Sequence, residues 1–507
     1  MYIVTAKEMY DIDHYTMHNI GMDGKILMEN AGRAVSEKVK QIIKKSDSIT
    51  VLIGPGNNGG DGFVIARTLW EDSFSVKTVQ VVPDEKITGD ASYHKNILLK
   101  SGLTIDSIQT ERDLEKLLSK TDVVIDCLLG IGVKGVLREP LAGMVKQVNR
   151  STAKIISVDI PSGLPADEGE DNFLSVQADY TFVIGAAKLS AFLQATAPKY
   201  GKWEVVSIGF PEKAFQKFAI RKHWAEASFK ETLPKRLVYA HKGNHGKGLV
   251  VGGSAEMPGS ITMTVEAALK AGAGLITAGT MKEIFPVIAS RSVEATFHTL
   301  SETDGFLTNV NSIQTSNYHA IGLGIGMGRV AQTTELVRSI VNQANCPVIL
   351  DADGLFHLKS VLLDVKNRQA PTVITPHPGE MAMLLDITVS ELLLAPFRYS
   401  LEFAKEYNVF VVLKGKHTII TTPGGTQMVN STGNQGLAKG GSGDVLTGII
   451  LAMIMQHENI LHSICNACYL HGKSADMQIE EQNTYYDLMA TDVINGIPKV
   501  YRTISHV

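Results

Sequence analysis

The chain has 507 residues, of which 44% are hydrophobic and 20% are charged, and its net charge is -4. Because that length exceeds what one hydrophobic core usually supports, it predicts two domains, and the composition excludes long disordered tracts. The small net charge, without a long basic run, argues against a nucleic-acid partner and favours small-molecule chemistry.

The N-terminal segment and the cysteines indicate the cellular compartment. Lys7, Glu8 and Asp11 occupy the region where an exported protein has a basic segment followed by an apolar one. No apolar run of about 18 residues occurs later in the chain. The 4 cysteines are too few for a disulfide framework in a chain of this length. We therefore expect a cytoplasmic protein without a membrane partner.

The first half of the chain alternates β-branched segments with helical stretches. A helix is predicted at 29–43, and the predicted strands are 49–53, 76–82, 123–125, 155–158, 180–184 and 205–208. This alternation is typical of a parallel sheet with helices on both faces, so the fold class is α/β, with a Rossmann-like three-layer first domain. We place this domain at 1–215 and a connector after it.

A glycine-rich segment follows the strand at 49–53 directly. Residues 54–62 read GPGNNGGDG, and a helix is predicted from Phe63 to Leu69. In doubly wound sheets, ligands bind at the carboxyl ends of strands, where backbone N–H groups approach a phosphate. The alternative is a tight strand-to-helix turn, but Asn57, Asn58 and Asp61 supply more polar groups than a turn requires. The segment therefore predicts a dinucleotide-binding loop.

Two further strand ends carry polar side chains. Asp126 ends one predicted strand, and Asp159 with Ser162 follows the next. Each aspartate alone could be a helix N-cap, but together with Asn58 these groups form a set at one sheet edge. Amide, hydroxyl and carboxylate oxygens are hard ligands that suit a monovalent or divalent cation rather than a transition metal.

The segments GPGNNGGDG, DCLLGIGVKG, DIPSG and GAAKLSAF together resemble the NAD(P)H-hydrate epimerase family over about residues 9–214. The resemblance implies a hydrated nicotinamide dinucleotide as substrate and a potassium ion bound by Asn58, Asp126 and Ser162. The substrate-binding residues that it implies are Asn57, Asn58, Gly59, Gly60, Asp61, Gly130, Ile131, Gly132, Val133, Lys134, Gly135, Val136 and Asp159.

Epimerisation needs proton transfer at the hydroxyl group or the ring nitrogen of the hydrated ring. Asp159 is the predicted acid/base group. Lys188, just beyond a predicted strand, is the predicted second catalytic group, although a solvent-facing lysine is the alternative reading. Asp126 is assigned to the cation rather than to proton transfer.

The second half of the chain starts a new α/β pattern, predicted as a larger domain at 224–501. A strand is predicted at 248–253 and a helix at 262–271. Further strands are predicted at 276–278, 319–323, 348–350, 372–374, 409–413 and 418–420. Cys465 and Cys468 form a CxxC in an apolar helical segment, where core packing is favoured over zinc because a structural zinc site needs about four ligands.

The segment from Asn434 to Asp444 reads NQGLAKGGSGD and leads into a predicted helix at 445–455. Successive glycine and serine N–H groups at a helix start form a cradle for a phosphoryl group, and an aspartate there can deprotonate an attacking hydroxyl. A flexible Gly-Ser linker is the alternative, but the apolar helix begins at once. The segment therefore predicts phosphoryl transfer with Asp444 as the base.

Other motifs end strands at the same predicted edge. Residues 413–418 read LKGKHT between two apolar strands, where basic and backbone donors can meet nucleotide phosphates. Residues 375–380 read TPHPGE, in which two prolines fix a loop that presents His377 and Glu380, with a purely structural loop as the alternative. The segments 322–328 and 351–354 close two more strands.

Together with HKGNHGKGLVVGGS and AALKAGAGL, these motifs resemble the ADP-dependent NAD(P)H-hydrate dehydratase family over about residues 224–501. The resemblance implies a ribokinase-like fold, the hydrated substrate on Gly326, His377 and Asp444, and ADP as co-substrate. The nucleotide-binding residues that it implies are Lys414, Gly415, Lys416, His417, Thr418, Asn434, Gln435, Gly436, Leu437, Ala438, Lys439, Gly440, Gly441, Ser442 and Gly443.

These resemblances predict a bifunctional enzyme that repairs NADHX and NADPHX, the hydrated forms of NADH and NADPH. Hydroxide is a poor leaving group, so phosphorylation of the ring hydroxyl by ADP would allow its elimination as phosphate, leaving AMP. Mg²⁺ is expected from this chemistry although no dedicated ligand set is visible, and we also expect a homo-oligomer. The alternatives are a kinase for a vitamin-like alcohol and a nucleotide-binding scaffold.

Overall fold

The computed structural model describes residues 1–108, 111–309 and 313–504. The chain divides into two units, Met1–Ile220 and Arg221–Val507. Within the described ranges, no helix is both long enough and apolar enough to cross a membrane. Each unit is built around its own sheet, so the predicted α/β class is confirmed.

The first unit combines a large sheet with helices on both sides. Its strands are β1 (Tyr2–Val4), β2 (Ser48–Ile53), β3 (Ser75–Gln80), β4 (Ile105–Ser107), β5 (Val123–Cys127), β6 (Lys154–Val158), β7 (Tyr180–Ile184), β8 (Ala187–Lys188) and β9 (Lys202–Val206). Its helices are α1 (Ala6–Tyr15), α2 (Gly24–Lys40), α3 (Asn57–Glu71), α4 (Gly89–Lys100), α5 (Glu111–Leu118), α6 (Leu141–Arg150) and α7 (Glu212–Phe218).

The large sheet of the first unit has the strand order β4-β3-β2-β5-β6-β7-β9, and its neighbours pair in parallel. The carboxyl ends of β2, β5 and β6 are therefore adjacent at one edge. Strands β1 and β8 lie outside these seven strands and pair in parallel with each other, which the sequence patterns do not predict.

Alternation along the strands produces the layers of this unit. On β2, Val51 and Ile53 belong to one buried cluster together with Phe63 of α3. Leu52, between them, belongs to a second cluster together with Val145 of α6. Because successive side chains of a strand point to opposite faces, helices cover both faces of the sheet.

Helix α3 begins at Asn57, so the prediction that it starts at Phe63 is wrong. Glycine is a poor helix former, but close packing against the sheet overrides that preference here. A Cβ atom at Gly59 would lie 2.0 Å from the carbonyl oxygen of Gly54, and one at Gly62 would lie 2.6 Å from Cδ1 of Ile53. These glycines allow the first turns of the helix to approach β2.

The second unit is also a layered α/β structure. Its strands are β10 (Arg221–His223), β11 (Lys247–Gly252), β12 (Leu275–Thr280), β13 (Thr296–Thr299), β14 (Ser301–Thr303), β15 (Phe306–Asn309), β16 (Ala320–Ile325), β17 (Val348–Leu350), β18 (Thr372–Ile374), β19 (Phe410–Leu413), β20 (Thr418–Thr421) and β21 (Gln427–Asn430).

The helices of the second unit lie mostly between consecutive strands or after the last one. They are α8 (Glu226–Thr232), α9 (Pro258–Lys270), α10 (Phe285–Arg291), α11 (Ala331–Gln343), α12 (Asp353–Leu358), α13 (Leu362–Lys366), α14 (Pro378–Leu385), α15 (Val389–Leu394), α16 (Pro396–Tyr407), α17 (Ser442–Gln456), α18 (Ile460–Glu481) and α19 (Ala490–Ile504).

The main sheet of the second unit has the strand order β13-β12-β11-β16-β17-β18-β19-β20-β21-β10. The strands from β13 to β19 pair in parallel, whereas β20 pairs with β19 and β21 in the antiparallel sense. A two-stranded hairpin of β14 and β15 lies outside this sheet. The parallel part brings the carboxyl ends of β11, β16, β17, β18 and β19 to one edge.

Two buried helices form much of the core of the second unit. Residues 445–454 of α17 are all buried, which explains why this segment is apolar on every face. Cys465 and Cys468 lie buried in α18 as free thiols, in agreement with core packing. In the described part of the chain, no group of three or more His, Cys, Asp and Glu side chains is arranged to hold a metal ion.

Candidate functional site

A cavity of about 1010 Å³ opens at the carboxyl ends of β2, β5 and β6 in the first unit. Asn57, Asn58, Asp61, the whole segment 130–136 and Asp159 with Lys188 line this cavity. Most residues of the predicted epimerase site therefore surround one space, which has the size of a site for a large ligand.

Gly59 and Gly60 are not among the lining residues. A Cβ atom at Gly60 would lie 2.4 Å from Sδ of Met28, and the corresponding position at Gly59 faces the backbone of Gly54. Both glycines therefore pack helix α3 closely against its neighbours. Their part in substrate binding is indirect, because they fix the adjacent residues that do line the cavity.

The ion pair of Lys188 and Asp159 lines the cavity. Nζ of Lys188 donates to Oδ1 of Asp159 and, at 3.0 Å, to the carbonyl oxygen of Ile184. The backbone N–H of Ile184 also donates to Oδ1 of Asp159 at 3.0 Å. Lys188 is 0% exposed, so the reading of this residue as a solvent-facing lysine is wrong.

The backbone at Asp159 is also unusual. Its φ angle is 68°, in the left-handed region that few residues other than glycine adopt, with asparagine, aspartate and histidine the commonest exceptions. Both hydrogen bonds to the Asp159 carboxylate end on Oδ1, and among the described residues none ends on Oδ2. One carboxylate oxygen is therefore available to a substrate.

Helix α1 contributes three cavity residues that the sequence motifs do not identify, Met9, Tyr10 and Asp13. Burial and the neighbouring charge of Asp159 raise the pKa of Asp13 to about 6, while Lys188 acts in the opposite direction. Burial, with the charges of Asp159 and Asp13, also raises the pKa of Asp61 well above its usual range. A titratable cluster thus faces the cavity.

The predicted cation ligands lie together beneath this cavity. Asp126 is fully buried, and its Oδ1 accepts from Oγ of Ser162 at 2.5 Å. Its Oδ2 accepts from Oγ of Ser157 at 2.8 Å and from the N–H of Ser162 at 2.9 Å. Burial raises the pKa of Asp126, and these hydrogen bonds act against that rise.

Asn58 completes the group. Its Nδ2 donates to the carbonyl oxygens of Leu129 at 2.7 Å and Val158 at 3.1 Å. Its Oδ1 is buried and has no hydrogen-bond partner among the described residues. An orphaned oxygen beside a buried carboxylate and a hydroxyl is a donor set that fits a hard cation such as K⁺.

In the second unit, the glycine-rich segment forms the start of helix α17. The helix begins at Ser442, three residues before its predicted start, and Gly441 precedes it with a φ angle of 90°. A Cβ atom at Gly440 would meet nothing within 4 Å. The first-turn N–H groups of a helix have no acceptor within that helix, so this open turn is suited to an anion.

Hydrogen bonds hold the rest of the segment in place. Asn434 donates from Nδ2 to Asp476 at 2.9 Å and accepts from the N–H of Gly436 at 3.0 Å. Lys439 donates from Nζ to the carbonyl oxygen of Tyr486 at 2.6 Å. Residues 434–443 therefore form an ordered loop with capped ends.

Lys414, at the end of β19, lies against this loop. Its Nζ is 3.0 Å from Oδ1 of Asp351, and Oδ2 of Asp351 accepts from Oγ1 of Thr447 at 2.7 Å. A Cβ atom at Gly443 would lie 3.3 Å from the same Nζ. Burial acts to lower the pKa of Lys414, but the charges of Asp351 and Glu380 outweigh it and raise that pKa.

Asp444 lies in the first turn of α17 with Asp351 nearby. Burial and the charge of Asp351 raise the pKa of Asp444 to about 6, and a hydrogen bond with Ser260 acts in the opposite direction. A Cβ atom at Gly326 would lie 2.9 Å from Cβ of Ser260. Gly326 and Asp444 therefore both lie beside Ser260, at the start of helix α9.

His377 has a structural role that the sequence reading gave as its alternative. Its Nδ1 accepts from the N–H groups of Gly379 at 3.0 Å and Glu380 at 3.2 Å, so it caps helix α14. Its Nε2 is 3.4 Å from Oε1 of Glu380, and Oε2 of Glu380 is 3.9 Å from Nζ of Lys414. The capped loop thus stands beside Lys414.

The remaining residues of the turn between β19 and β20 connect it to the segment before the glycine-rich loop. Lys416 donates from Nζ to the carbonyl oxygen of Gly433 at 2.8 Å. His417 is within 2.9 Å of Oγ of Ser431, and Thr418 donates to the carbonyl oxygen of Gly415 at 3.3 Å. The two predicted nucleotide segments are therefore neighbours.

Asp351 is the site residue that the motif reading of the second half missed. The sequence predicts that segment 351–354 closes a strand, but no motif assigns Asp351 a binding or catalytic role. The structure makes it the link between Lys414, Thr447 and Asp444.

Two family models match the chain. Residues 24–190 match the family described as the YjeF-related protein N-terminus, and residues 248–499 match the family described as NAD(P)H-hydrate dehydratase. A solved ribokinase-like superfamily protein from Enterococcus faecalis V583 is 23% identical and covers 57% of this chain and 98% of its own, with a TM-score of 0.50. The ribokinase-like fold predicted for the second half is confirmed.

Curated relatives match over the whole length. The bifunctional NAD(P)H-hydrate repair enzyme Nnr of Moorella thermoacetica is 33% identical, with 99% of this chain and 97% of the relative covered. The protein of the same description from Thermofilum pendens is also 33% identical, with the same coverage. These matches favour a repair enzyme over a vitamin-type kinase or a scaffold. The chain belongs to the family of bifunctional NAD(P)H-hydrate repair enzymes.

Proposed function

We propose that residues 1–215 carry the epimerase activity of this family and that the pair of Asp159 and Lys188 is at its catalytic centre, with Asp159 transferring a proton. The observation that supports this proposal is the buried ion pair in the wall of the large cavity. Lys188 and the N–H of Ile184 hold one oxygen of Asp159, so the other would accept a proton from the ring hydroxyl.

The substrate would lie between the start of α3 and the loop after β5. Asn57, Asn58 and Asp61 come from the helix start, and Gly130, Ile131, Gly132, Val133, Lys134, Gly135 and Val136 form the opposite side. The N–H groups at the helix start suit the phosphates of a dinucleotide, and the loop supplies an ammonium group through Lys134. Gly59 and Gly60 would contribute indirectly, by packing helix α3 closely against its neighbours.

Potassium would be held by Asn58, Asp126 and Ser162. The ion supplies a fixed positive charge beside the substrate loop when it is bound. Its test uses two serines that both bond to Asp126, since Ser162 belongs to the proposed ligand set and Ser157 does not.

The full-length Ser162→Ala variant should lose the rise in thermal unfolding midpoint that KCl gives relative to choline chloride, while Ser157→Ala should retain it. Epimer exchange should follow the same pattern. An equal response of both variants to KCl would remove the potassium assignment.

For residues 224–501, the dehydratase half of the function, we propose Asp444 as the base. Its carboxylate takes the proton of the ring hydroxyl as that oxygen attacks the terminal phosphorus of ADP, and the bond from phosphorus to the AMP oxygen breaks. The N–H groups of residues 440–443 and the ammonium group of Lys414 would stabilise the phosphoryl group. Electrons from the ring nitrogen then expel phosphate, and the adjacent ring carbon loses a proton to the released phosphate or to water, which forms the ring double bond of NADH or NADPH.

Other parts of this site would position the reactants. Gly326 and His377 would contact the hydrated ring, and Lys414, Gly415, Lys416, His417 and Thr418 would face the nucleotide together with residues 434–443. Mg²⁺ would be held mainly by the nucleotide phosphates, because Asp351 is already engaged by Lys414 and Thr447. A homo-oligomer and a cytoplasmic location stay predictions.

Epimer exchange without nucleotide tests the first-unit assignment directly. Purified R or S hydrated NADH is incubated with the full-length chain, and the opposite epimer is measured by chromatography. The double variant Asp159→Asn/Lys188→Met should exchange the epimers no faster than buffer. Exchange at the wild-type rate would overturn the assignment.

A further inference from the structure

Helix α1 presents a carboxyl group to the cavity of the first unit. Tyr10 and Asp13 are three residues apart, so they lie on one face of the helix, and both line the cavity. A Cβ atom at Gly132 would lie 3.1 Å from the hydroxyl oxygen of Tyr10. The helix is therefore seated against the proposed substrate loop.

The start of α1 is well fixed. Oγ1 of Thr5 accepts from the N–H of Glu8 at 3.1 Å, and Oε2 of Glu8 accepts from the N–H of Thr5 at 2.8 Å. The N–H of Ala6 donates to Oδ1 of Asp167 at 2.8 Å. This capping box and its tether hold the helix, and with it Asp13, in one position.

Epimerisation at the hydroxyl-bearing carbon needs two proton-transfer groups. That carbon is also bonded to the ring nitrogen, so its configuration is lost when the ring opens there. A base takes the hydroxyl proton, the C–O bond becomes C=O, the C–N bond breaks, and an acid gives a proton to the nitrogen. After rotation of the aldehyde, the same steps in reverse close the ring on the other face, so no atoms or electrons are gained.

The carboxyl groups around the cavity differ in environment. Asp159 is paired with Lys188. Asp13 has a pKa of about 6, raised by burial and by Asp159, so it can both give and take a proton near neutrality. Burial, with the charges of Asp159 and Asp13, raises the pKa of Asp61 well above its usual range, which suits hydrogen-bond donation better than proton exchange. Pairs of groups in such contrasting environments mark an acid and a base.

We propose that Asp13 is the second proton-transfer group of the epimerase, the acid in ring opening and the base in ring closure, with Asp159 as the first. This inference rests on the epimerase function proposed for the first unit. In this mechanism Lys188 positions Asp159 and does not carry the second proton. The charged and titratable groups that share the cavity with Asp13 are Tyr10, Asp61, Lys86, Asp90, Lys134, Arg138, Glu139, Asp159 and Lys188.

The test measures exchange of R and S hydrated NADH by the full-length Asp13→Asn variant, without nucleotide, between about pH 5 and pH 9. We expect kcat to fall by about 10²–10⁴-fold with little change in KM, and the dependence of rate on a group near pH 6 to disappear. Asp13→Glu should restore part of the rate and keep a titration in that range.

The control is Asp11→Asn on the same helix, because Asp11 pairs with Lys7 at 2.6 Å and is not among the cavity residues. It should exchange epimers at the wild-type rate. Circular dichroism and nucleotide-driven dehydration of the S epimer should be unchanged in all three variants.

The possible outcomes distinguish the inference about Asp13 from the proposed epimerase function. Wild-type exchange by Asp13→Asn, with loss of exchange in the Asp159 double variant, overturns the inference and leaves the proposed function intact. Loss of the titration near pH 6 in Asp61→Asn instead of Asp13→Asn also overturns it, because that acid role then belongs to Asp61. Wild-type exchange by both the Asp13 and Asp159 variants removes the proposed function itself.

Discussion

Each unit builds its site around a lysine that is paired with a carboxylate. The buried Lys188 pairs with Asp159, and Lys414 pairs with the buried Asp351. Taking these charges out of water is costly, so each pair depends on the geometry of the strand ends that present it. The pairs hold charge close to reactants while excluding solvent. They are the residue-scale feature on which both proposed mechanisms depend.

The pair in the first unit has a measurable effect on stability. Asp159→Asn leaves the fully buried ammonium group of Lys188 without its partner, so it should lower the free energy of unfolding by about 3–5 kcal/mol. The double variant Asp159→Asn/Lys188→Met removes both charges and should recover a large part of that loss. Urea unfolding of the full-length variants measures the difference, and a double variant no more stable than the single one would contradict the buried pair.

The pKa of Asp444 predicts how dehydration depends on pH. A base must be unprotonated, so the rate with the S epimer should fall as pH drops through about 6, the pKa that burial and Asp351 give this group. Asp351→Asn removes one of those causes, and the midpoint of the profile should therefore move to lower pH. A midpoint that stays in place would show that Asp351 does not act on Asp444.

At the scale of elements, both sites use a strand, a glycine-rich turn and a helix, but the glycines differ in purpose. In α3 they permit close packing on β2, whereas before α17 they include an open position at Gly440. Sequence patterns predicted which strands end at the site, because apolar β-branched runs and polar strand ends are local signals. They placed both helix starts too late, because packing against the sheet decides where a glycine-rich segment becomes helical.

Two neighbouring glycines provide a matched test of the proposed phosphate cradle. Gly440→Ala adds a methyl group in open space, so stability should change by no more than about 0.5 kcal/mol, while KM for ADP should rise because the methyl group stands beside the phosphates. Gly441→Ala is strained at a φ angle of 90° and would meet Met263 at 2.7 Å, so it should lower the unfolding midpoint. Unchanged KM in Gly440→Ala would argue against a cradle there.

At the scale of the whole molecule, the sequence predicted two α/β units and most of their central strands. Short strands such as β1, β8 and β10 escaped prediction because two or three residues carry no periodic pattern. Asp13 and Asp351 escaped assignment for a related reason, since each acquires its environment only when distant segments fold together. Sequence motifs identify site residues that are contiguous in the chain, as in the proposed ligand-binding segments 57–61 and 434–444.

The fusion of two units joins two steps that need each other, because a dehydratase that accepts one epimer requires an epimerase to use the other. In the proposed mechanism, Asp444 activates the ring hydroxyl for phosphoryl transfer while a separate site in the first unit supplies the epimer. Nothing in this division of labour requires both sites to reside on the same copy of the chain.

Regeneration of NADH from an equal mixture of both hydrated epimers with ADP, followed by nicotinamide absorbance, tests that mechanism most directly. The wild-type chain should recover both epimers, Asp159→Asn/Lys188→Met should recover only one at the enzymatic rate, and Asp444→Asn should recover neither. Mixing the two variants should restore full recovery. ADP-driven regeneration by Asp444→Asn at the wild-type rate would contradict the account.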